Sequence, residues 1–125
     1  MISTVLIVDD SRSSRNVNLR FATELLGPGV RFLEACDGAA ALEILAREPI
    51  ELMLLDLTMP GMSGFEVLAE LRRRELQLMV IVLSGDVQRL TRERVMQLGA
   101  AGFIEKPIKF EAMKAMLAAL GVDHE

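Results

Sequence analysis

The chain has one cysteine, Cys36, and one histidine, His124, in 125 residues. A lone thiol excludes an internal disulfide and points to a reducing compartment. No acid, base or metal-ligand motif surrounds Cys36, so it reads as a small buried filler. His124 falls in the terminal "VDHE", where a disordered end is expected and a ligand role is not. Acidic residues outnumber basic ones, 18 to 14. The formal net charge is −4, which argues against broad, nonspecific nucleic-acid binding. Arg72, Arg73 and Arg74 form a local basic cluster that reads as a solvated helix face. No apolar run approaches the length of a membrane span. The start, "MISTVLIVDD", has no basic segment and meets acid after a short apolar run, unlike a signal peptide. The expectation is a soluble, cytoplasmic protein that contacts neither membrane nor DNA.

What is present is enough for a core: 51% of the residues are hydrophobic and 26% are charged. One domain is expected over residues 1–121, followed by a tail over 122–125. Five short β-rich runs appear, at Thr4–Val8, Val30–Ala35, Leu52–Leu55, Met79–Leu83 and Ala101–Ile104. The first, third and fourth are apolar on consecutive residues, which marks strands covered on both faces. "VRFLEA" alternates more, as an edge strand does. Between them lie helical spacings: Val17, Phe21 and Leu25; Leu42 and Leu45; Phe65, Leu68 and Leu71; Val87, Leu90, Val95 and Leu98; Phe110, Met113, Leu117 and Leu120. Ser63 and Glu66 form a capping box at the third helix. The alternation of strand and helix predicts an α/β fold, a doubly wound parallel sheet with helices on both faces.

Polar residues gather where the strands end. Asp9 and Asp10 follow the first strand, Asp56 the third, Ser84 and Gly85 the fourth, and Lys106 with Pro107 the fifth. In an open α/β sheet, ligands bind outside the carboxyl ends of the strands, where strand order reverses. An order of 2-1-3-4-5 puts that reversal between the first and third strands, so the three aspartates would meet there. Each alone also reads as a cap or turn residue. Together they repel, and desolvation makes this worse. Capping does not require such crowding, whereas a bound cation does. All the ligands are oxygen, with no cysteine or histidine among them, which favours Mg²⁺ over zinc. Lys106 offers a point charge for a carboxylate or a phosphoryl oxygen, and Ser84 a hydroxyl donor. The set reads as a phosphoryl site, with the central Asp56 as nucleophile.

With these residues in place, the chain resembles the receiver domain of two-component response regulators, in the single-domain form typified by the chemotaxis response regulator. The likeness runs from about Thr4 to Leu120 and rests on "VLIVDDS", "LLDLTMPGMSG", "VIVLSGD" and "GAAGFIEKP". It implies a flavodoxin-like five-stranded sheet with five helices. It implies Asp56 as phosphoacceptor, Asp10 as a direct Mg²⁺ ligand, Asp9 as a ligand acting through water, and the Thr58 carbonyl completing the metal site. It further implies that Lys106 contacts the phosphoryl group and that the Lys106–Pro107 bond is cis. Ser84 and Phe103 take the places of the switch hydroxyl and the switch aromatic. Thr58 and Asp86 stand at positions that tune phosphoryl lifetime. Ser84 stands where threonine is commoner, and Phe103 stands where tyrosine is frequent, so no phenolic hydrogen bond is available.

The function so implied is phosphoryl transfer from a histidine kinase or phosphotransfer protein to Asp56, with Mg²⁺, by a phosphoacceptor and not a turnover enzyme. The product would switch contacts with a downstream protein whose identity and pathway are unknown, chemotaxis being one candidate. The readout face would be the fourth helix, fifth strand and fifth helix, with Met96, Lys109, Met113 and Met116 as candidates, core filling being the stronger reading for any one of these methionines. Two alternatives stand beside it. One is a receiver-like binding module that works without phosphorylation. The other is an aspartyl-phosphate phosphohydrolase, disfavoured because Thr58 stands where such enzymes carry a second acid. A transcription factor is not expected, because no DNA-binding segment follows Gly121.

Overall fold

A computed structural model of the chain describes residues 2–122. Strands β1 (Thr4–Val8), β2 (Arg31–Ala35), β3 (Leu52–Asp56), β4 (Met79–Ser84) and β5 (Gly102–Glu105) alternate with helices α1 (Arg12–Leu26), α2 (Gly38–Arg47), α3 (Gly64–Arg73), α4 (Arg89–Gln97) and α5 (Phe110–Ala119). The sheet is parallel throughout, in the order β2-β1-β3-β4-β5. The expected α/β fold and strand order are therefore those observed. The tail residue His124 lies outside the described residues. Val122, by contrast, packs partly buried against the core.

Successive residues of a strand point to opposite faces, so the consecutive apolar runs feed two cores. Leu6, Val8, Met53, Leu55, Val80 and Val82 face α2, α3 and α4, where they meet Leu42, Leu45, Val67, Leu68, Leu71 and Val95. Val5, Ile7, Leu52, Leu54, Ile81 and Leu83 face α1 and α5, where they meet Ala22, Leu26, Met113 and Leu117. Each fully buried Leu or Ile side chain contributes about 1.5–3 kcal/mol. Strands β1 and β3 are buried end to end, and β2 is the half-exposed edge.

The helices begin where the sequence supplies a cap. Ser11 accepts from the Ser14 amide, Asp37 from Ala40, and Ser63 and Glu66 close the expected capping box. The Arg72–Arg74 cluster is exposed, as expected. Arg73 and Arg74 bridge Glu70 and pull its carboxyl down to about 2.

Four expectations are corrected. Cys36 is exposed, because it lies one residue beyond the edge strand β2, in the turn before Asp37. The inward stripe of α1 is Asn18, Ala22 and Leu26, while Val17, Phe21 and Leu25 flank it half-buried. The small Ala22 lets the helix approach the sheet, and the larger side chains straddle the seam. In α4 only Val95 is buried; Val87 precedes the helix, and Leu90 is 70% exposed. Met113 is not on the surface but fully buried, four residues from Leu117 on the inner face of α5. Met96 and Lys109 are exposed and Met116 is half-buried.

Two core positions carry testable consequences. Asn18 is 1% exposed, and neither side-chain polar atom has a hydrogen-bond partner among the described residues. Such burial is costly, so Asn18→Leu is expected to raise unfolding free energy by about 1 kcal/mol, read by chemical denaturation. Gly64 sits against the end of β3: a Cβ there would lie 2.8 Å from the Asp56 carbonyl oxygen and 2.8 Å from Leu57 Cα. Backbone cannot yield as a side-chain tip can. Gly64→Ala is expected to destabilise by about 1–3 kcal/mol in the same assay.

Candidate functional site

The register builds the site. β1 pairs with β3 through Ile7↔Leu54 and Val8↔Leu55, so the next residues, Asp9 and Asp56, emerge side by side. Carboxylate oxygens of Asp9, Asp10 and Asp56 lie within 4.8 Å of one another. Asp9 is fully buried, Asp56 is 4% exposed, and Asp10 is exposed at the rim. Two acids in one apolar edge would repel strongly. Lys106 offsets that repulsion: its Nζ lies 3.1 Å from Asp9 Oδ2 and 3.0 Å from Asp56 Oδ1. The lysine is carried there by the turn after β5, where its amide donates to the Ser84 carbonyl at 2.9 Å and its bond to Pro107 is cis.

The charges answer to this geometry. Burial pushes the Asp56 carboxyl above the ordinary aspartate range; the bond to and charge of Lys106, and the Thr58 amide, oppose that rise, while the Asp9 charge adds to it. For Lys106, burial acts to lower its affinity for a proton, but the bonds to Asp56 and Asp9 outweigh it and hold the ammonium above its usual range. The pocket therefore holds three carboxylates, each an oxygen donor, against one ammonium. Such a donor set suits a hard divalent cation.

The remaining candidates lie around this centre. Thr58 is exposed at the start of the turn after β3, and Gly61 takes a φ of 75° that the bend requires. Ser84 ends β4 and is 1% exposed; its Oγ accepts from the Asp86 amide at 3.0 Å. Gly85 and Asp86 are exposed on the loop that follows. Asp86 is engaged locally: Oδ1 accepts from the Gln88 amide at 3.0 Å and Oδ2 from the Thr91 hydroxyl at 2.8 Å. Phe103 is half-buried in β5, beneath the Arg92 guanidinium at 5.0 Å.

Four supporting contacts escape sequence reasoning, from Arg15, Ser11, Thr91 and Arg92. Arg15 donates to the Asp9 carbonyl at 2.8 Å and bridges Glu34 at 3.2 Å, tying the acidic turn to β2. Only the β1–β2 pairing brings Glu34 near, so no local signal marks Arg15. The Ser11 amide donates to Asp9 Oδ1 at 2.9 Å, which orients the carboxylate as the helix begins. From α4, a helix with little apolar patterning to predict its docking, Thr91 bonds Asp86 and Arg92 covers the switch candidate Phe103.

Because the folded-state pKa of Asp56 is raised, its ionisation costs stability above that pKa, and the cost vanishes below the unfolded value of about 3.9. Asp56→Asn, measured without divalent metal, is therefore expected to melt at a higher temperature than the wild type near neutral pH. The gain should shrink as pH falls into the ordinary aspartate range. Thermal melts across pH check this.

The chain matches the response regulator receiver domain model over residues 5–118. It is 37% identical over 114 residues to a probable cyclic di-GMP phosphodiesterase of Vibrio cholerae, a match covering 90% of this chain and 25% of that protein. The chemotaxis protein CheY4 of Vibrio cholerae superposes with a TM-score of 0.83 at 25% identity, covering 95% of this chain and 98% of the other. A response regulator receiver protein from Pseudomonas putida superposes with a TM-score of 0.82 at 26% identity, covering 95% and 98%. The chain spans 25% to 50% of the length of the first curated relatives it matches. No helix among the described residues is long and apolar enough to cross a membrane. The chain belongs to the response regulator receiver domain family.

Proposed function

We propose that this chain accepts a phosphoryl group on Asp56 from a phosphohistidine donor, a histidine kinase or a phosphotransfer protein. The observation that carries this reading is the single ammonium of Lys106 shared by two buried carboxylates, Asp9 and Asp56, at neighbouring strand ends. An ion pair at that position is displaceable. Lys106 can leave the carboxylates and follow a phosphoryl oxygen.

Asp9, Asp10 and Asp56 and the Thr58 carbonyl would hold Mg²⁺, which when bound offsets negative charge on the transferring oxygens. The rest is positioning by the chain's own groups. An Asp56 carboxylate oxygen attacks phosphorus, the phosphorus–nitrogen bond breaks, and the imidazole departs with the electron pair. The product is an acyl phosphate on Asp56. Lys106 pairs with one phosphoryl oxygen, while Ser84 and the uncrowded Gly85 backbone face another. Attachment at the Asp56 side chain needs no backbone change, because β3 is fixed on both sides by β1 and β4.

Phosphorylation then shifts a two-state equilibrium that involves Ser84 and Phe103. Thr58 and Asp86 flank the group and set its lifetime. The readout is contact with a downstream protein through α4, β5 and α5, where Met96 and Lys109 are exposed. The likeness to CheY4 makes chemotaxis one candidate pathway. The work is that of a cytoplasmic phosphoacceptor and not of a turnover enzyme.

The test is incubation of the intact protein with radiolabelled acetyl phosphate and Mg²⁺. The expected outcome is a label that hydroxylamine releases, as an acyl phosphate requires. Asp56→Asn should reduce it to background, and chelation of divalent metal should do the same. Full labelling of the Asp56→Asn protein would remove Asp56 from this role.

A further inference from the structure

Two adjacent residues of α4 reach both switch candidates. The Thr91 hydroxyl donates to Asp86 Oδ2 at 2.8 Å, and the Asp86 amide in turn donates to Ser84 Oγ at 3.0 Å. The next residue, Arg92, lays its guanidinium over the Phe103 ring at 5.0 Å. Asp86 also accepts from the Gln88 amide at 3.0 Å, directly ahead of a helix whose N-cap residue, Gln88, supplies no side-chain bond. The other end of α4 is held differently. Arg94 stacks on Phe65 at 3.9 Å, Arg72 donates to the Gln97 carbonyl at 2.6 Å, and Val95 enters the core. The C-terminal half of α4 is thus anchored to α3 and the sheet. Its first turn is anchored to the segment that would move.

We propose that Thr91 and Arg92 form a clasp that holds the switch in its resting arrangement, with Thr91 acting as a positioning residue for Ser84 through Asp86. The inference deepens the phosphoacceptor reading and rests on it. A Ser84 hydroxyl drawn to a phosphoryl oxygen on Asp56 would leave its present place beside the Asp86 amide. That move strains the bond from the Asp86 amide. Asp86 cannot follow freely, because Thr91 and Gln88 hold its carboxylate. The stack of Arg92 on Phe103 holds the ring in its present position. Both contacts favour the resting state, so losing either one favours the active state. A phosphoryl group, or a mimic of one, then binds more tightly by the amount of bias removed. Asp86 has a second role under this proposal. Its carboxylate is committed to α4, so it acts on the site through the loop and not by meeting a water molecule.

The test uses the full chain with Mg²⁺ and beryllium fluoride, a phosphoryl mimic, titrated by amide NMR. Thr91→Val keeps the shape and removes the donor. It is expected to tighten beryllium fluoride binding by about 3- to 10-fold, the ordinary net worth of one hydrogen bond at an exposed site. Amide shifts at Ser84–Asp86 and ring shifts at Phe103 should move part-way toward their bound positions before any mimic is added. Thr91→Ser restores the hydroxyl and should restore wild-type affinity and shifts, a rescue that a general loss of helix stability would not show. Affinity for Mg²⁺ alone should stay as in the wild type. Unchanged or weaker mimic binding by Thr91→Val, with the wild type binding normally, would overturn the clasp and leave the phosphoacceptor reading standing. Failure of the wild type itself to bind the mimic would overturn both.

Discussion

Two buried aspartates share one ammonium, and the functional edge of this molecule is arranged around that contact. Asp9 and Asp56 are neighbours because β1 and β3 are neighbours, and those strands are adjacent because the crossover order reverses between them. The acids are buried because apolar strands carry them inward to the last residue. Neither could sit there unpaired without a large desolvation cost. Lys106, from the far side of the sheet, makes the arrangement tolerable. The contact also leaves the pocket with more negative than positive charge, which under the proposed function suits it to a divalent ion.

The rest of the fold keeps that contact in place. Arg15 and the Ser11 amide fix Asp9 from α1, and the close approach of Gly64 fixes the strand end at Asp56. The two cores differ in what they hold. The face covered by α1 and α5 is the one that Asp9 and Asp56 share by strand parity. The other face carries α4, with one buried residue and a charged surface. A helix held by so few apolar contacts is the part of the molecule able to respond at low cost. Under the proposed function, signal entry and signal output fall on regions of different rigidity.

Much of this was legible in the sequence, for reasons that individual residues make plain. "VLIV", "LMLL" and "VIVL" could only be strands buried on both faces, and acids or hydroxyls directly after them had to sit at one edge. Capping by Ser63 with Glu66 is a local code and was readable as such. What escaped was set by tertiary contact. Cys36 looked like a filler, but a one-residue offset from an edge strand exposes it. Met113 reads both as part of the α5 stripe and as a readout-face candidate, and the docking of α5 puts it in the core. Val87 and Leu90 suggested an inward stripe that α4 does not use. Arg15, Thr91 and Arg92 carry no signature, because their partners are distant in sequence or depend on where a helix docks.

Under the proposed function, the Lys106 ammonium and a divalent cation compete for the carboxylates of Asp9 and Asp56. Calorimetric titration of the intact protein with Mg²⁺, alongside Lys106→Met, tests it most directly. The account predicts one ion per chain, bound more tightly once the competing ammonium is gone. No uptake by the wild type, or tighter binding when Lys106 is present than when it is absent, would contradict it.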